Sequence, residues 1–135
     1  MAKKQWVYSP KKPAKPKVPA DVKTQVKTQA DTLVETTLKP THIKPPPEEP
    51  GFNYISDIYT KWYRNYFYFC ATYQSPGPNA VSPEFETKFA CLEYLENGNF
   101  NLSYMRHTGQ WLEMYQDLIL GTCLNSIENE PHFMP

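Results

Sequence analysis

The sequence lacks any apolar run long enough to cross a membrane. Its longest uninterrupted hydrophobic stretch covers residues 66–71, whereas a spanning helix needs about 18 or more apolar residues. No apolar leader follows Met1, so we expect neither a secretory signal nor a membrane partner. Cys70, Cys91 and Cys123 are odd in number and show no C-x-x-C spacing, which favours free buried thiols in a reducing, cytoplasmic environment.

Candidate ligands for metals and candidate catalytic groups are also scarce. The three histidines, His42, His107 and His132, lie far apart in the sequence, and none has a second ligand at metal spacing. Carboxylates alternate along residues 84–93, but a general acid/base pair needs two contrasting environments, and no such pair is visible. We therefore predict no metal, no cofactor and no catalytic residue. The sequence favours a non-enzymatic function without deciding the question.

Proline and aromatic residues divide the chain. Most of the 14 prolines precede Gly51, and most of the 20 aromatic residues follow it. Proline-rich segments are extended, whereas aromatic residues predict a packed core. This contrast predicts a basic Pro/Lys-rich arm (1–17), a helix (18–39), a Pro-rich linker (40–50) and an aromatic-rich sheet with a C-terminal helix (51–135). Residues 18–135 are predicted to form one domain.

Charge is distributed unevenly along a chain whose net charge is zero. Residues 1–17 carry six lysines and no acid, residues 18–44 have a net charge of +1, and residues 45–135 have a net charge of −7. A basic arm on an acidic body indicates electrostatic binding by the arm.

The first helix is predicted from apolar residues spaced three and four apart. Asp21 suits the first turn, because a carboxylate there complements the helix dipole. Pro40 is predicted to end the helix near Lys39. The apolar stripe comprises Val18, Val22, Val26, Ala30, Leu33, Val34 and Leu38.

An aromatic hairpin is predicted next, with strands at about 53–61 and 66–73. Ten of the 22 residues from Phe52 to Tyr73 are aromatic, a composition typical of strands. Alternation places Phe67 and Phe69 on one side of the second strand and Tyr66 and Tyr68 on the other. Both sides are apolar enough to be buried, so the residues alone do not determine which is exposed.

The rest of the sheet is predicted from turn signals. Asn97-Gly98 predicts a two-residue type I′ turn, which pairs Leu95 with Phe100 and Cys91 with Tyr104. The core face would then comprise Phe85, Phe89, Cys91, Leu95, Phe100, Leu102 and Tyr104. A fifth strand is predicted near 111–115, and a short helix at about 122–129 with Thr122 as its cap. The predicted fold class is α+β, with an N-terminal helix, a four- to five-stranded antiparallel meander and a short C-terminal helix.

Three segments together resemble a known group of proteins. FNYISDIYTKWYRNYFYFCATY, PGPNAVSPEFETKFACLEY and FNLSYMRHTGQW are similar to small bacterial proteins that carry a domain of unknown function. The resemblance covers roughly residues 45–130. It implies no activity, ligand or catalytic residue. The α–meander–α order is also that of frataxin-like proteins, but a shared fold does not transfer a function.

The arm is the first candidate binding segment. Its Ser-Pro-Lys-Lys motif at residues 9–12 is of a type suited to phosphates and narrow grooves. We predict an interaction module whose arm contacts nucleic acid, an acidic protein surface or its own acidic body. The candidate contact residues are Lys3, Lys4, Trp6, Tyr8, Lys11, Lys12, Lys15 and Lys17.

Two alternatives remain open. The first is a small-ligand-binding or enzymatic domain that uses the loop at 74–83 with Arg106 and His107. Its candidate polar site consists of Tyr104, Arg106, His107 and Trp111. The second is a homodimer through the tyrosine side of the first hairpin. That side could instead stack bases of a single-stranded nucleic acid.

Overall fold

A computed structural model describes residues 16–45, 52–76 and 83–135. The helical part begins with α1 and passes through one π-helical turn into α2, and a short 3-10 turn follows the last helix. The elements in chain order are α1 (Ala20–Leu33), the π-helical turn (Val34–Leu38), α2 (Lys39–His42), β1 (Tyr54–Tyr63), β2 (Tyr66–Gln74), β3 (Glu84–Tyr94), β4 (Phe100–Met105), β5 (Trp111–Leu118), α3 (Leu120–Asn129) and the 3-10 turn (Pro131–Phe133).

The five strands form one antiparallel sheet in the order β1-β2-β3-β4-β5. Each strand pairs with the next one in the chain, which short turns make the simplest arrangement. Helix α1 contacts β1 and α3, while α3 and the 3-10 turn contact β4. The described helices thus cover one face of the sheet, which confirms the predicted α+β class with a helix at each end of the meander.

Pro40 does not end the first helix, contrary to the prediction. The chain stays helical to His42 because residues 34–38 form a π-helical turn, in which the Lys39 N–H donates to the Val34 carbonyl. A π turn is wider than an α turn, so the missing N–H and the ring of Pro40 fit where an α-helix would lose a bond and clash. The turn keeps Val34 and Leu38 buried on the core side.

The predicted register of β3 against β4 is wrong by one residue. Tyr94 pairs with Phe100 and Cys91 with Ser103, because the loop has three residues rather than two. The Gly98 N–H donates to the Leu95 carbonyl, and of the turn residues only Gly98 has a positive φ, +88°. A type I turn followed by a left-handed glycine is the usual three-residue hairpin.

This register changes the core face. Leu92, Tyr94 and Ala90 point to the helices, whereas Cys91 lies on the opposite side of the sheet. The core joins helical and strand residues in one cluster, whose largest fully buried members are Phe67, Phe69, Phe133, Leu38, Ile58, Leu92 and Leu102.

The C-terminal helix starts earlier than predicted. It runs from Leu120 to Asn129, and Ile119 is its N-terminal flanking residue, with no side-chain capping hydrogen bond. Thr122 is therefore an ordinary residue of the first turn and not the cap. Cys123 and Ile127 face the core as expected.

Polar contacts fix α1 on the edge strand β1. The Trp62 indole N–H donates to the Lys23 carbonyl at 3.1 Å. The buried Thr60 hydroxyl donates to Asp31 at 2.5 Å and accepts from Lys27 at 2.9 Å. These bonds bring the start of α1 next to the β1–β2 turn. Within the described ranges, no helix is long and apolar enough to span a bilayer.

Candidate functional site

One face of the sheet is left without a helix by the described elements. We call it the open face. Every second residue of each strand points to it, since strand side chains alternate. It carries aromatic, charged and small side chains: Tyr59, Lys61 and Tyr63 from β1, Tyr66, Tyr68, Cys70, Thr72 and Gln74 from β2, Glu84, Glu86, Lys88, Cys91 and Glu93 from β3, Asn101, Ser103 and Met105 from β4, and Trp111 and Glu113 from β5.

Small residues in the middle of the open face let large ones meet above them. Tyr68 pairs with Cys91, and Cys91 pairs with Ser103. The rings of Tyr68 and Trp111 are therefore only 5.9 Å apart between centroids, although two strands, β3 and β4, lie between β2 and β5. Tyr66 stacks on Tyr68 at 6.2 Å. The result is a continuous aromatic surface, with Trp111 37% exposed.

Glu86 organises the charges on the open face. Its carboxylate accepts hydrogen bonds from Tyr59, from Lys61 at 2.9 Å and from Lys88 at 3.2 Å. The Tyr59 and Lys61 hydrogen bonds lower the pKa of Glu86 to about 2. The tyrosine is affected in the other direction, because burial and the neighbouring carboxylate raise the pKa of Tyr59. Two lysines share one acid here, so this part of the face keeps a positive charge.

A hollow of about 410 Å³ lies between these lysines. It is lined by Lys61, Trp62, Tyr63, Tyr68 and Lys88. The Lys88 ammonium lies 5.6 Å from the centre of the Tyr68 ring, within the range of a cation–π contact. The hollow thus combines aromatic rings with two positive charges.

A second hollow opens where α1 begins beside the β1–β2 turn. We call it the basic cleft. It has a volume of about 460 Å³ and is lined by Pro16, Lys17, Val18, Lys23, Arg64 and Asn65. No ion pair joins Lys17, Lys23 or Arg64 to any residue that the structure describes. The cleft therefore carries three uncompensated positive charges.

Arg64 connects the basic cleft to the open face. Its guanidinium carbon lies 5.2 Å from the centre of the ring of Tyr63. Arg64 has a φ of +56°, a left-handed conformation that costs roughly 1–2 kcal/mol for a residue with a Cβ. Glycine or asparagine would fit this turn at lower cost, so the arginine is not explained by the backbone.

The side chain of Asn65, next to Arg64, is buried and has no hydrogen-bond partner in the part of the chain that the structure describes. It is 3% exposed, and neither its amide nitrogen nor its amide oxygen makes a hydrogen bond among the described residues. The main-chain carbonyl of Asn65 accepts a hydrogen bond from the Tyr94 N–H at 2.8 Å, so the unsatisfied groups are those of the side chain. A buried amide without a partner is rare and is often explained by an absent ligand or water.

The three thiols are buried in the fold. Cys70, Cys91 and Cys123 form no disulfide among the described residues. Burial raises the pKa of Cys70 to about 11 and that of Cys123 to about 12, so both stay protonated and unreactive near neutral pH. Among the described residues, no three His, Cys, Asp or Glu side chains come close enough together to hold a metal ion.

The residues predicted for the arm lie outside the described residues, with one exception. Lys17 is described and lines the basic cleft. The remaining predicted contacts are Lys3, Lys4, Trp6, Tyr8, Lys11, Lys12 and Lys15.

The four residues predicted for a polar site do not come together. Tyr104 faces the helices, where its ring lies 5.0 Å from that of His132, whereas Trp111 is on the open face. Arg106 and His107 are exposed in the β4–β5 turn. Residues 77–82 of the predicted functional loop lie outside the described residues. The polar site stays a prediction.

Sequence reasoning found the tyrosine side of the hairpin but missed what lies next to it. Lys88 and Trp111 lie on this side because of the register of the strands. A β-bulge between Phe69 and Cys70 shifts the register of β2 against β3. The basic cleft depends on where α1 docks. No local signal marks Asn65 as buried, because its neighbour Arg64 indicates an ordinary polar turn.

The fold and the open face define a small α+β protein with an antiparallel meander, helices on one side and an aromatic, charged surface on the other. A family model described as "Domain of unknown function (DUF3024)" matches residues 18–135, and the chain belongs to that family. The expected resemblance to a family of unknown function is thereby confirmed. No curated protein and no solved structure matches the chain significantly.

Proposed function

We propose that this protein is a non-enzymatic module that binds single-stranded nucleic acid on its open face, with the N-terminal arm adding contacts to phosphates. The observation that carries the proposal is the aromatic surface of Tyr63, Tyr66, Tyr68 and Trp111, with Lys61 beside it. Sheet-borne aromatic residues stack on unpaired bases, and neighbouring cations hold the backbone. A duplex does not offer its base faces, so a single strand suits this surface better.

The distribution of charge supports a defined path for the strand. The basic residues of the site lie on β1, the β1–β2 turn and β3, where Lys61, Arg64 and Lys88 outnumber the acids Glu86 and Glu93 by three to two. The other side of the open face carries Glu113 next to Trp111 in the β5 strand. Phosphates are therefore favoured along β1, with the bases directed inward over Tyr68. The net charge of −7 on residues 45–135 weakens binding in general but does not cancel this local excess.

The arm fits the same partner. Its six lysines would neutralise phosphates of the strand or of flanking nucleic acid. A cytoplasmic location would suit this function and accords with the cysteine pattern of the sequence.

The proposal is tested by fluorescence anisotropy of a labelled ten-nucleotide single strand and its duplex against the full chain. We expect the single strand to bind more tightly at low salt. Trp111→Ser should weaken binding about tenfold, because stacking on one aromatic residue contributes about 1–3 kcal/mol per base. Phe85→Ser is the matched control: Phe85 is 38% exposed, like Trp111, but stacks on Tyr73 on the helix-covered face.

Other results would point elsewhere. No binding of either DNA at low salt, or an equal loss in both variants, would contradict the proposal. Binding that prefers the duplex and is unchanged by Trp111→Ser would assign nucleic-acid contact to the arm alone. A doubled mass in light scattering that Trp111→Ser returns to one chain would mean that a second copy occupies the open face.

A further inference from the structure

We infer that the basic cleft is a subsite for a terminal phosphate monoester, the phosphorylated end of the bound strand. This inference rests on the proposed function and deepens it, because it names the chemical group that fixes the strand end. The cleft adjoins the open face through Tyr63, the last residue of β1, and Arg64, the first residue of the β1–β2 turn.

The charges of the cleft come from two elements that are distant in sequence. Lys17 and Lys23 belong to the start of the helical segment, and Arg64 belongs to the turn. No acid that the structure describes lines the hollow, and three cations around it favour the binding of an anion, because like charges repel. A volume of about 460 Å³ lies in the range of small-ligand sites and can hold a phosphate with its sugar.

Two further groups lack partners at the same place. Asn65 lines the cleft, is more than nine-tenths buried and has an unpartnered amide, which can donate to an anionic oxygen. Helix α1 starts at Ala20 with Pro19 as its flanking residue and no side-chain capping bond. The N–H groups of its first turn and the helix dipole favour negative charge near this end, where Asp21 supplies one carboxylate.

A monoester fits these groups better than an internal phosphodiester does. At neutral pH a phosphate monoester carries a charge between −1.5 and −2 and presents three acceptor oxygens. An internal phosphodiester carries a single charge and two free oxygens. Arg64 can contact two of the oxygens at once, which lysine cannot do. The nucleotide attached to a phosphate in the cleft would lie beside the exposed ring of Tyr63, where the aromatic surface begins.

The test uses the full chain and three hexanucleotides of one sequence: 5′-phosphorylated, 3′-phosphorylated and without a terminal phosphate. We expect one phosphorylated form to bind about tenfold more tightly than the form without phosphate, as charge-assisted hydrogen bonds allow. The preferred end gives the direction of the strand on the open face. Arg64→Gln should abolish this preference, so that the phosphorylated and unphosphorylated forms bind about equally. Arg106→Gln should keep the preference, because Arg106 lies in the β4–β5 turn at the other end of the sheet.

A second measurement separates this inference from the proposed function. Inorganic phosphate is titrated into labelled full-length protein, and the backbone amide signals of residues 20–22, 64 and 65 are followed by NMR. Saturable shifts that Arg64→Gln removes would establish the anion site even if no oligonucleotide binds. Equal affinities for the three hexanucleotides would overturn the subsite and leave the proposed function intact. Absence of any shift with phosphate would also overturn it.

Discussion

Glu86 is the residue whose chemistry depends most on its neighbours. Its carboxylate holds Tyr59, Lys61 and Lys88 together on the open face. Because these hydrogen bonds depress its pKa to about 2, the folded state holds the charged form more strongly than the unfolded chain does. Glu86 therefore stabilises the fold above its ordinary pKa of 4.5, and this contribution is lost as pH falls from about 4.5 to 2.

Glu86→Gln should lower the free energy of unfolding by about 1 kcal/mol or less at pH 7, since the side chain is partly exposed and solvent screens the pair. The difference from the wild type should disappear near pH 2, as followed by urea denaturation at a series of pH values. The same change should strengthen oligonucleotide binding about fivefold, because one negative charge near the phosphates is removed. Glu128→Gln on α3 is the control, and an equal gain in that variant would contradict the local explanation.

Asn65 and Thr60 are two buried polar residues in opposite situations. Thr60 makes hydrogen bonds with both Asp31 and Lys27, whereas the side chain of Asn65 makes none among the described residues. Removing a hydrogen-bonded group leaves its buried partners unsatisfied, which lowers the free energy of unfolding. Removing a group that has no partner can leave this free energy unchanged or raise it.

Asn65→Leu should therefore leave the free energy of unfolding unchanged or raise it, while it weakens the preference for a phosphorylated hexanucleotide. Thr60→Val should lower the free energy of unfolding by about 1–2 kcal/mol. Thermal and urea denaturation of both variants without ligand check the comparison. A large destabilisation by Asn65→Leu would show that its amide has a structural partner in the free protein.

At the scale of elements, the backbone conformation of the turns decided which predictions of strand pairing were correct. Gly98 and Gly109 close two hairpins of the same form, with φ values of +88° and +84°. In each, the glycine N–H donates three residues back, from Gly98 to Leu95 and from Gly109 to Arg106. Asn97-Gly98 marks the hairpin correctly, but the loop length depends on whether Asn97 also adopts a positive φ, and residue type does not determine that.

Gly98→Ala and Gly109→Ala should each lower the free energy of unfolding by about 1–2 kcal/mol, because alanine disfavours the left-handed conformation. No atom lies within 4 Å of a Cβ built at either position, so the loss reflects conformation and not a clash. Gly121→Ala is the matched control: its site is equally open but lies in α3, so alanine should be neutral or stabilise by up to about 1 kcal/mol. Equal losses at all three positions would contradict this account.

The helical segment shows a second limit of prediction at this scale. Apolar spacing located α1 and its core residues, including Val26, Ala30 and Leu38. The rule that proline ends a helix failed at Pro40, since it assumes α-helical hydrogen bonding in the preceding turn. In the π-helical turn the Lys39 N–H donates to the Val34 carbonyl, five residues back, and residue spacing alone does not predict that change of hydrogen bonding.

At the scale of the whole molecule, fold class and strand order followed from the sequence, but the candidate site did not. Alternation showed that Tyr66 and Tyr68 share a side, and both sides of the hairpin were apolar. Only the docking of α1, through Trp62 and Lys23, determines which side is open. The same docking forms the basic cleft, so neither surface could be assigned before the helix was placed.

Arm and body should make separable contributions to binding. Replacing Lys3, Lys4, Lys11, Lys12 and Lys15 by glutamine keeps the chain length and the described fold. We expect the slope of log K against log salt for a long single strand to become shallower by about 3 to 4, at roughly 0.7 per phosphate contact. The loss caused by Trp111→Ser should persist in this background. An unchanged slope would exclude the arm from the complex.

The two described tryptophans lie on opposite sides of the same sheet. Trp62 is packed near Phe67 and bonded to the first helix, whereas Trp111 is exposed beside Tyr68. These two of the chain's three tryptophans are intrinsic fluorophores that respond to different events. A ligand on the open face should quench the emission of Trp111, while loosening of α1 should shift that of Trp62 to longer wavelength. In a Trp6→Phe background, Trp62→Phe would leave Trp111 to report occupancy, and Trp111→Phe would leave Trp62 to report helix docking, without an added dye.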